Sequence, residues 1–139
     1  SFMKKRTIEE YVENICFLEK KDGHASTNSL AQVMGVRPPT ITEVLKKLQT
    51  GGYVHYTPHA GATLTDKGKC LAEELGEKHR MIADFLSLIG VGHSIAEYDA
   101  CQIEHIISHD TVISIGGFLS AVKANSAISA WFEELRKNE

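Results

Sequence analysis

At Gly51-Gly52 the apolar period of the chain changes from about 3.6 residues to 2, and this change limits the possible folds more than any other feature. Ahead of it, Ile41, Val44, Leu45 and Leu48 recur at helical spacing. Pro38 and Pro39 open that helix, where a missing N–H and a preset φ cost nothing. A shorter helix over about 29–34 precedes it, with Leu30, Val33 and Met34 inward and Gly35 as its stop. Behind the glycines, Tyr53-Val54-His55-Tyr56-Thr57, a turn Pro58-His59-Ala60-Gly61 and Ala62-Thr63-Leu64 read as a small hairpin. Two short helices, a tight turn and a following hairpin predict a winged helix-turn-helix.

The remaining segments read as helices. Thr7-Ile8-Glu9-Glu10 has the form of a capping box, so the first helix is expected over about 8–21, ending at Lys21-Asp22-Gly23. Thr65 or Asp66 caps a long helix of about 66–89 whose stripe is Leu71, Leu75, His79, Ile82, Leu86 and Ile89. Ser94-Ile95-Ala96-Glu97 is a second box, opening a helix to about Ser108. Asp110 is expected to cap another with Val112, Ile113, Ile115, Phe118, Leu119 and Val122 apolar, and a last helix over about 126–137 carries Ile128, Trp131, Phe132 and Leu135. The expected class is mainly α: a winged helix-turn-helix DNA-binding domain over 1–70 and an all-helical metal-binding and dimerisation domain over 71–139.

Charge is divided between these halves. Residues 1–69 carry 10 basic and 7 acidic side chains, a net +3, whereas 70–139 carry 5 and 11, a net −6. A basic front suits contact with phosphate, and an acidic rear suits cations or a partner subunit. No apolar run approaches the roughly 20 residues of a membrane span, and no signal peptide opens the chain. Ser1 and Phe2 ahead of Met3 read as an added leader. Cys16, Cys70 and Cys101 are scattered and odd in number, so neither a disulfide framework nor a zinc knuckle is expected, and a cytoplasmic location fits best.

With its apolar stripe inward, the Pro-Pro helix turns Arg37, Thr40, Thr42, Glu43, Lys46 and Lys47 outward, and Pro39 opens it. N-terminal residues of a recognition helix meet base edges while hydroxyls and lysines hold phosphates. Arg37, Thr40 and Glu43 stand in the first position, and Lys46 and Lys47 in the second. Lys4, Lys5, Arg6 and the wing-tip His59 are further phosphate candidates. A polar helix face is also what simple solvation produces; the order of helix, turn, Pro-Pro helix and wing carries the reading.

A second pattern concerns metal. At about 100° per residue, Cys101, Glu104 and His105 fall on one arc of a helix while Ile103, Ile106 and Ile107 take the opposite one. His79 interrupts an apolar stripe, and Glu10 and Glu13 pair at i,i+3. One thiolate, imidazoles and carboxylates suit a first-row ion such as Fe²⁺, Mn²⁺, Co²⁺, Ni²⁺ or Zn²⁺ rather than Ca²⁺ or Mg²⁺. Each residue also has a plain structural explanation: Glu10 as a box residue, Glu13 in solvent, His79 as a core histidine, Cys101 as a small buried hydrophobe, Glu104-His105 as an exposed pair. His24, His55, His93 and His109 read as surface residues, with His109 a supplementary ligand candidate. Glu97 reads as a cap or as a ligand of a second ion beside His79.

Together, Thr7-Ile8-Glu9-Glu10-Tyr11-Val12-Glu13-Asn14-Ile15, Pro39-Thr40, Leu64-Thr65-Asp66-Lys67-Gly68, Lys78-His79-Arg80 and Asp99-Ala100-Cys101-Gln102-Ile103-Glu104-His105 resemble the diphtheria toxin repressor and manganese transport regulator family of metal-dependent repressors. The resemblance implies a winged helix-turn-helix joined to a helical dimerisation domain, with Mn²⁺ or Fe²⁺ promoting operator binding. It implies Glu10, Glu13, His79, Cys101, Glu104 and His105 as metal ligands. Glu10, Glu13 and His79 match the manganese branch, Cys101 the iron branch, and Glu104 and His105 both. Ala83 replaces a glutamate of the iron branch's ancillary site, and the third, SH3-like domain of longer members is not expected.

The expected function is thus a homodimeric, non-enzymatic repressor of metal-uptake genes acting on double-stranded operator DNA, with Co²⁺, Ni²⁺ or Zn²⁺ able to substitute. A metal-independent winged-helix regulator with an organic ligand is one rival. A metal-dependent hydrolase is another, but it needs a nucleophile and leaves the wing without a purpose.

Overall fold

The computed structural model describes residues 3–137, so the reading of Ser1 and Phe2 lies outside the described residues. The chain divides between Leu75 and Gly76 into two compact units.

The first unit contains α1 (Lys5–Asp22), α2 (Thr27–Met34), α3 (Pro38–Thr50), β1 (Val54–Thr57), β2 (Gly61–Leu64) and the start of α4 (Asp66–Leu88). Val12, Ile15, Leu30, Ile41, Leu45, Leu48 and Val54 are among its fully buried side chains and meet in one core under three helices and the hairpin. The strands are antiparallel, with Val54 opposite Leu64 and Tyr56 opposite Ala62. The expected box at Thr7 does not cap α1. The N–H of Ile8 already bonds the Lys4 carbonyl at 3.1 Å, so the helix has begun before Thr7, and Glu10 pairs instead with Arg6 one turn back. α2 begins earlier than expected because Ser26 Oγ accepts from the Ser29 N–H at 3.0 Å. Val33, expected inward, is exposed, while Leu30 is buried. At the start of α4, Thr65 Oγ1 accepts from the Gly68 N–H at 3.1 Å, which is the expected cap.

The second unit contains the rest of α4, then α5 (His93–Ile103), α6 (His109–Ala124) and α7 (Ser126–Lys137). Its buried cluster is small: Ile82, Ala83 and Ala100, with Leu86, Ile103 and Ile107 against it. Phe85, Phe118 and Phe132 extend the packing edge to face. Arg136 Nη1 donates to the Leu88 carbonyl at 3.1 Å, satisfying an orphan acceptor where α4 stops. Among the described residues no single helix is long and apolar enough to cross a membrane.

Four expectations for this unit are corrected. Gly92, not Ser94, is the N-cap of α5, which frees Glu97 for another partner. α5 ends at Ile103 rather than Ser108, because the Ile106 N–H bonds the Ile103 carbonyl in a tighter three-residue turn. Ser108, not Asp110, caps α6 through the Thr111 N–H. Ile106, expected on the buried arc, is 74% exposed because it lies in that turn.

Candidate metal centre and nucleic-acid interface

α4 carries His79, the last turn of α5 carries Cys101, and the turn after α5 carries Glu104 and His105. The expected arc assumed a helix through His105. The grouping survives the earlier stop because Glu104, the C-cap, keeps helical angles of φ −57° and ψ −27°, so its side chain leaves in nearly the helical direction. One ligand atom each from His79, Cys101 and Glu104 lies within 4.8 Å of the others. His79 Nδ1 is 3.8 Å from a Glu104 oxygen, and His105 Nε2 is 3.6 Å from the other. Glu104 is buried, His79 half-buried and Cys101 exposed.

These separations fit an ion. Two donors on one metal at about 2.0–2.3 Å each cannot be more than about 4.6 Å apart, close to what the three atoms span. Thiolate, imidazole and carboxylate together are the chemistry of a first-row transition ion.

Glu97 completes the arrangement in a way the sequence left open. Its Oε2 meets His79 Nε2, so Nε2 carries the proton and Nδ1, the nitrogen facing Glu104, presents its lone pair. That hydrogen bond holds the Glu97 carboxyl below its ordinary range. The interaction joins residues 18 apart in sequence, which no local spacing rule reports. His109 is exposed at the start of α6.

Glu10 and Glu13 lie on α1, in the first unit. Glu10 Oε1 accepts from Arg6 Nε at 2.8 Å. Glu13 is half-buried, and Glu9, to which the sequence reading gave no role, is 3% exposed.

The candidate nucleic-acid face is built on α3. Arg37 is its N-cap, and Arg37, Pro39, Thr40, Glu43, Lys46 and Lys47 are exposed. Thr42 is half-buried and its hydroxyl donates to the Pro38 carbonyl at 3.3 Å. His59 is exposed in the hairpin turn, and Lys4, Lys5 and Arg6 are exposed at the start of α1. Sequence reasoning missed the side chains that hold the hairpin: Gln49 Oε1 accepts from the Tyr56 N–H at 2.7 Å and Glu19 Oε1 from the Leu64 N–H at 3.1 Å.

Residues 3–62 match the iron dependent repressor N-terminal DNA binding domain, and residues 65–129 match the iron dependent repressor metal binding and dimerisation domain. An uncharacterized HTH-type transcriptional regulator of Methanocaldococcus jannaschii is 33% identical over 120 residues, covering 85% of this chain and 96% of that protein. The transcriptional regulator MntR of Escherichia coli is 37% identical over 109 residues, covering 78% and 70%. The solved structure of the manganese regulator SloR superposes with a TM-score of 0.68 at 32% identity, over 81% of this chain and 53% of that one; this chain thus spans about half of SloR's length.

Proposed function

This chain belongs to the iron dependent repressor family of metal-dependent transcriptional regulators, and from that premise we propose that it is a homodimer that senses Mn²⁺ or Fe²⁺ and represses metal-uptake genes by binding double-stranded operator DNA. The observation that carries the reading is the convergence of His79, Cys101 and Glu104 donor atoms within 4.8 Å, in a chain whose other unit is a winged helix-turn-helix.

The proposed ligands are His79, Cys101, Glu104 and His105, with Glu10 and Glu13 included on their i,i+3 pairing and on the sequence resemblance. A divalent ion bound by them supplies positive charge among carboxylates and a fixed link between the segments that carry them. Glu97 holds the His79 ring so that Nδ1 is the coordinating atom. The exposed thiol of Cys101 calls for a reducing compartment, which supports a cytoplasmic location. The proposed DNA-binding residues are Arg37, Thr40 and Glu43 toward bases, Lys46, Lys47 and His59 toward phosphates, and Pro39 and Thr42 on the same helix. The apolar side chains left exposed on the second unit, among them Ile95, Tyr98, Ile113 and Trp131, support its use as the dimer interface.

The test is an operator-binding titration with Mn²⁺, Fe²⁺, Co²⁺ and Zn²⁺ in turn, beside a chelated sample. Affinity should rise with at least one of Mn²⁺ and Fe²⁺; equal affinity with and without chelator would favour a metal-independent regulator.

A further inference from the structure

We infer that Gln49 is a positioning residue for the wing: its side-chain oxygen takes the outward N–H of Tyr56 and sets the angle at which the hairpin stands from α3. The inference rests on the reading of α3 and the hairpin as the DNA-contacting pair.

A two-stranded ribbon has two open edges and is marginal by itself, so its orientation is set by whatever takes the outward backbone groups. Ala62 both donates to and accepts from Ala25, at 2.9 and 2.8 Å. At Ala62 these groups therefore point away from β1, and the alternation of an antiparallel pair turns those of Tyr56 and Leu64 outward as well. Three outward N–H groups find partners off the ribbon: Ala62 on Ala25, Leu64 on Glu19 of α1, and Tyr56 on Gln49 in the last turn of α3.

The β2 edge is held by backbone at close range. Gly61 has φ +80°, and a Cβ there would stand 2.6 Å from the Ala25 oxygen, so this side has little freedom. At the base of the ribbon, Thr65 Oγ1 donates to the Gly52 carbonyl and Lys67 Nζ to the Gly51 carbonyl, at 2.6 and 2.9 Å. The β1 edge is tied to α3 further out, through the Gln49 side chain. His59 lies in the turn three residues beyond Tyr56, at most about 10 Å away at the rise of a strand. A tilt of about 10° at Tyr56 would therefore move the tip by up to about 2 Å, a shift on the scale that breaks a polar contact.

The experiment uses the full chain with Mn²⁺ and compares Gln49→Leu, which removes the acceptor, with Gln49→Glu, which keeps it. Gln49 is exposed, so neither variant disturbs the core. Tyr56 amide exchange, read by NMR without DNA, should quicken about fivefold in Gln49→Leu, the net worth of one hydrogen bond, and return toward wild type in Gln49→Glu. A reporter charge, Ala60→Lys, should add about one to the salt slope of DNA binding in the wild type and in Gln49→Glu, but clearly less in Gln49→Leu. Unchanged exchange in Gln49→Leu, or an equal slope gain in all backgrounds, would overturn the inference. If Ala60→Lys adds nothing even in the wild type, the wing does not approach phosphate and the DNA-contact reading fails with it; the exchange data still decide whether Gln49 holds Tyr56.

Discussion

The two units bury their apolar residues very differently. Among the described residues of the first, thirteen buried side chains from α1, α2, α3, the hairpin and the segment after α1 meet in one cluster. In the second, the buried cluster is three residues, two of them alanine, while Ile95, Tyr98, Ile106, Ile113, Phe118, Ile128, Trp131 and Leu135 remain exposed. A helical layer must cover its apolar stripe with something, and surfaces of this kind mark sites of association. The first unit closes on itself; the second reads as half of a larger core.

The largest expected effect tests that contrast. Leu45→Ala, which empties a fully buried position, should cost the winged unit about 2–5 kcal/mol, measured by urea unfolding. Ile113→Asp, at a residue 58% exposed, should leave monomer stability nearly unchanged and weaken dimerisation by about 2 kcal/mol or more, measured by sedimentation. A stable dimer in Ile113→Asp would move the proposed interface elsewhere.

Next come the residues that link metal to DNA. His105→Ala or Glu104→Gln should remove metal-activated operator binding, a loss of about 1–3 kcal/mol of coupling, with helical content retained in circular dichroism. Undiminished metal response in both variants would show that the grouping after α5 is structural. Glu97→Gln should lower metal affinity by about 10–100-fold, read by direct metal titration without DNA. If affinity held, the Glu97–His79 contact would be a surface pairing with no bearing on the ring's orientation.

Smaller shifts sharpen the account of each unit's specificity. Lys46→Ala and Lys47→Ala should each reduce the salt slope by about one with sequence preference intact, whereas Arg37→Ala or Thr40→Ala should relax preference; the opposite pattern would reverse the orientation of α3 on DNA. Cys101→Glu should move the ratio of Mn²⁺ to Fe²⁺ activation midpoints toward Mn²⁺, since a carboxylate replaces a softer thiolate. An anaerobic titration giving an unchanged ratio would place Cys101 outside the metal's ligands.

The sequence by itself determined the parts governed by local rules. Pro38-Pro39 and Gly51-Gly52 bracketed α3, which runs Pro38–Thr50, because proline at a first turn and glycine past a last one act on the backbone directly. The hairpin followed from its period of 2 and its turn residues. The grouping of Cys101 with Glu104 was legible from spacing within one turn.

Tertiary structure decided what local patterns leave degenerate. Thr7 and Ser94 carry capping-box residues yet cap nothing, since such boxes contribute only about 1 kcal/mol and an earlier helix start or another partner outweighs them. Glu97 reached His79 across 18 positions, and Gln49 and Glu19 found the outward N–H groups of the wing. Ile106 and Ile103 look alike in sequence, but one lies in a turn exposed to water and the other against the core. For Glu97, Gln49, Glu19 and Ile103 the deciding partner lies on another element, and only the packed fold specifies which polar or apolar group such a side chain will meet.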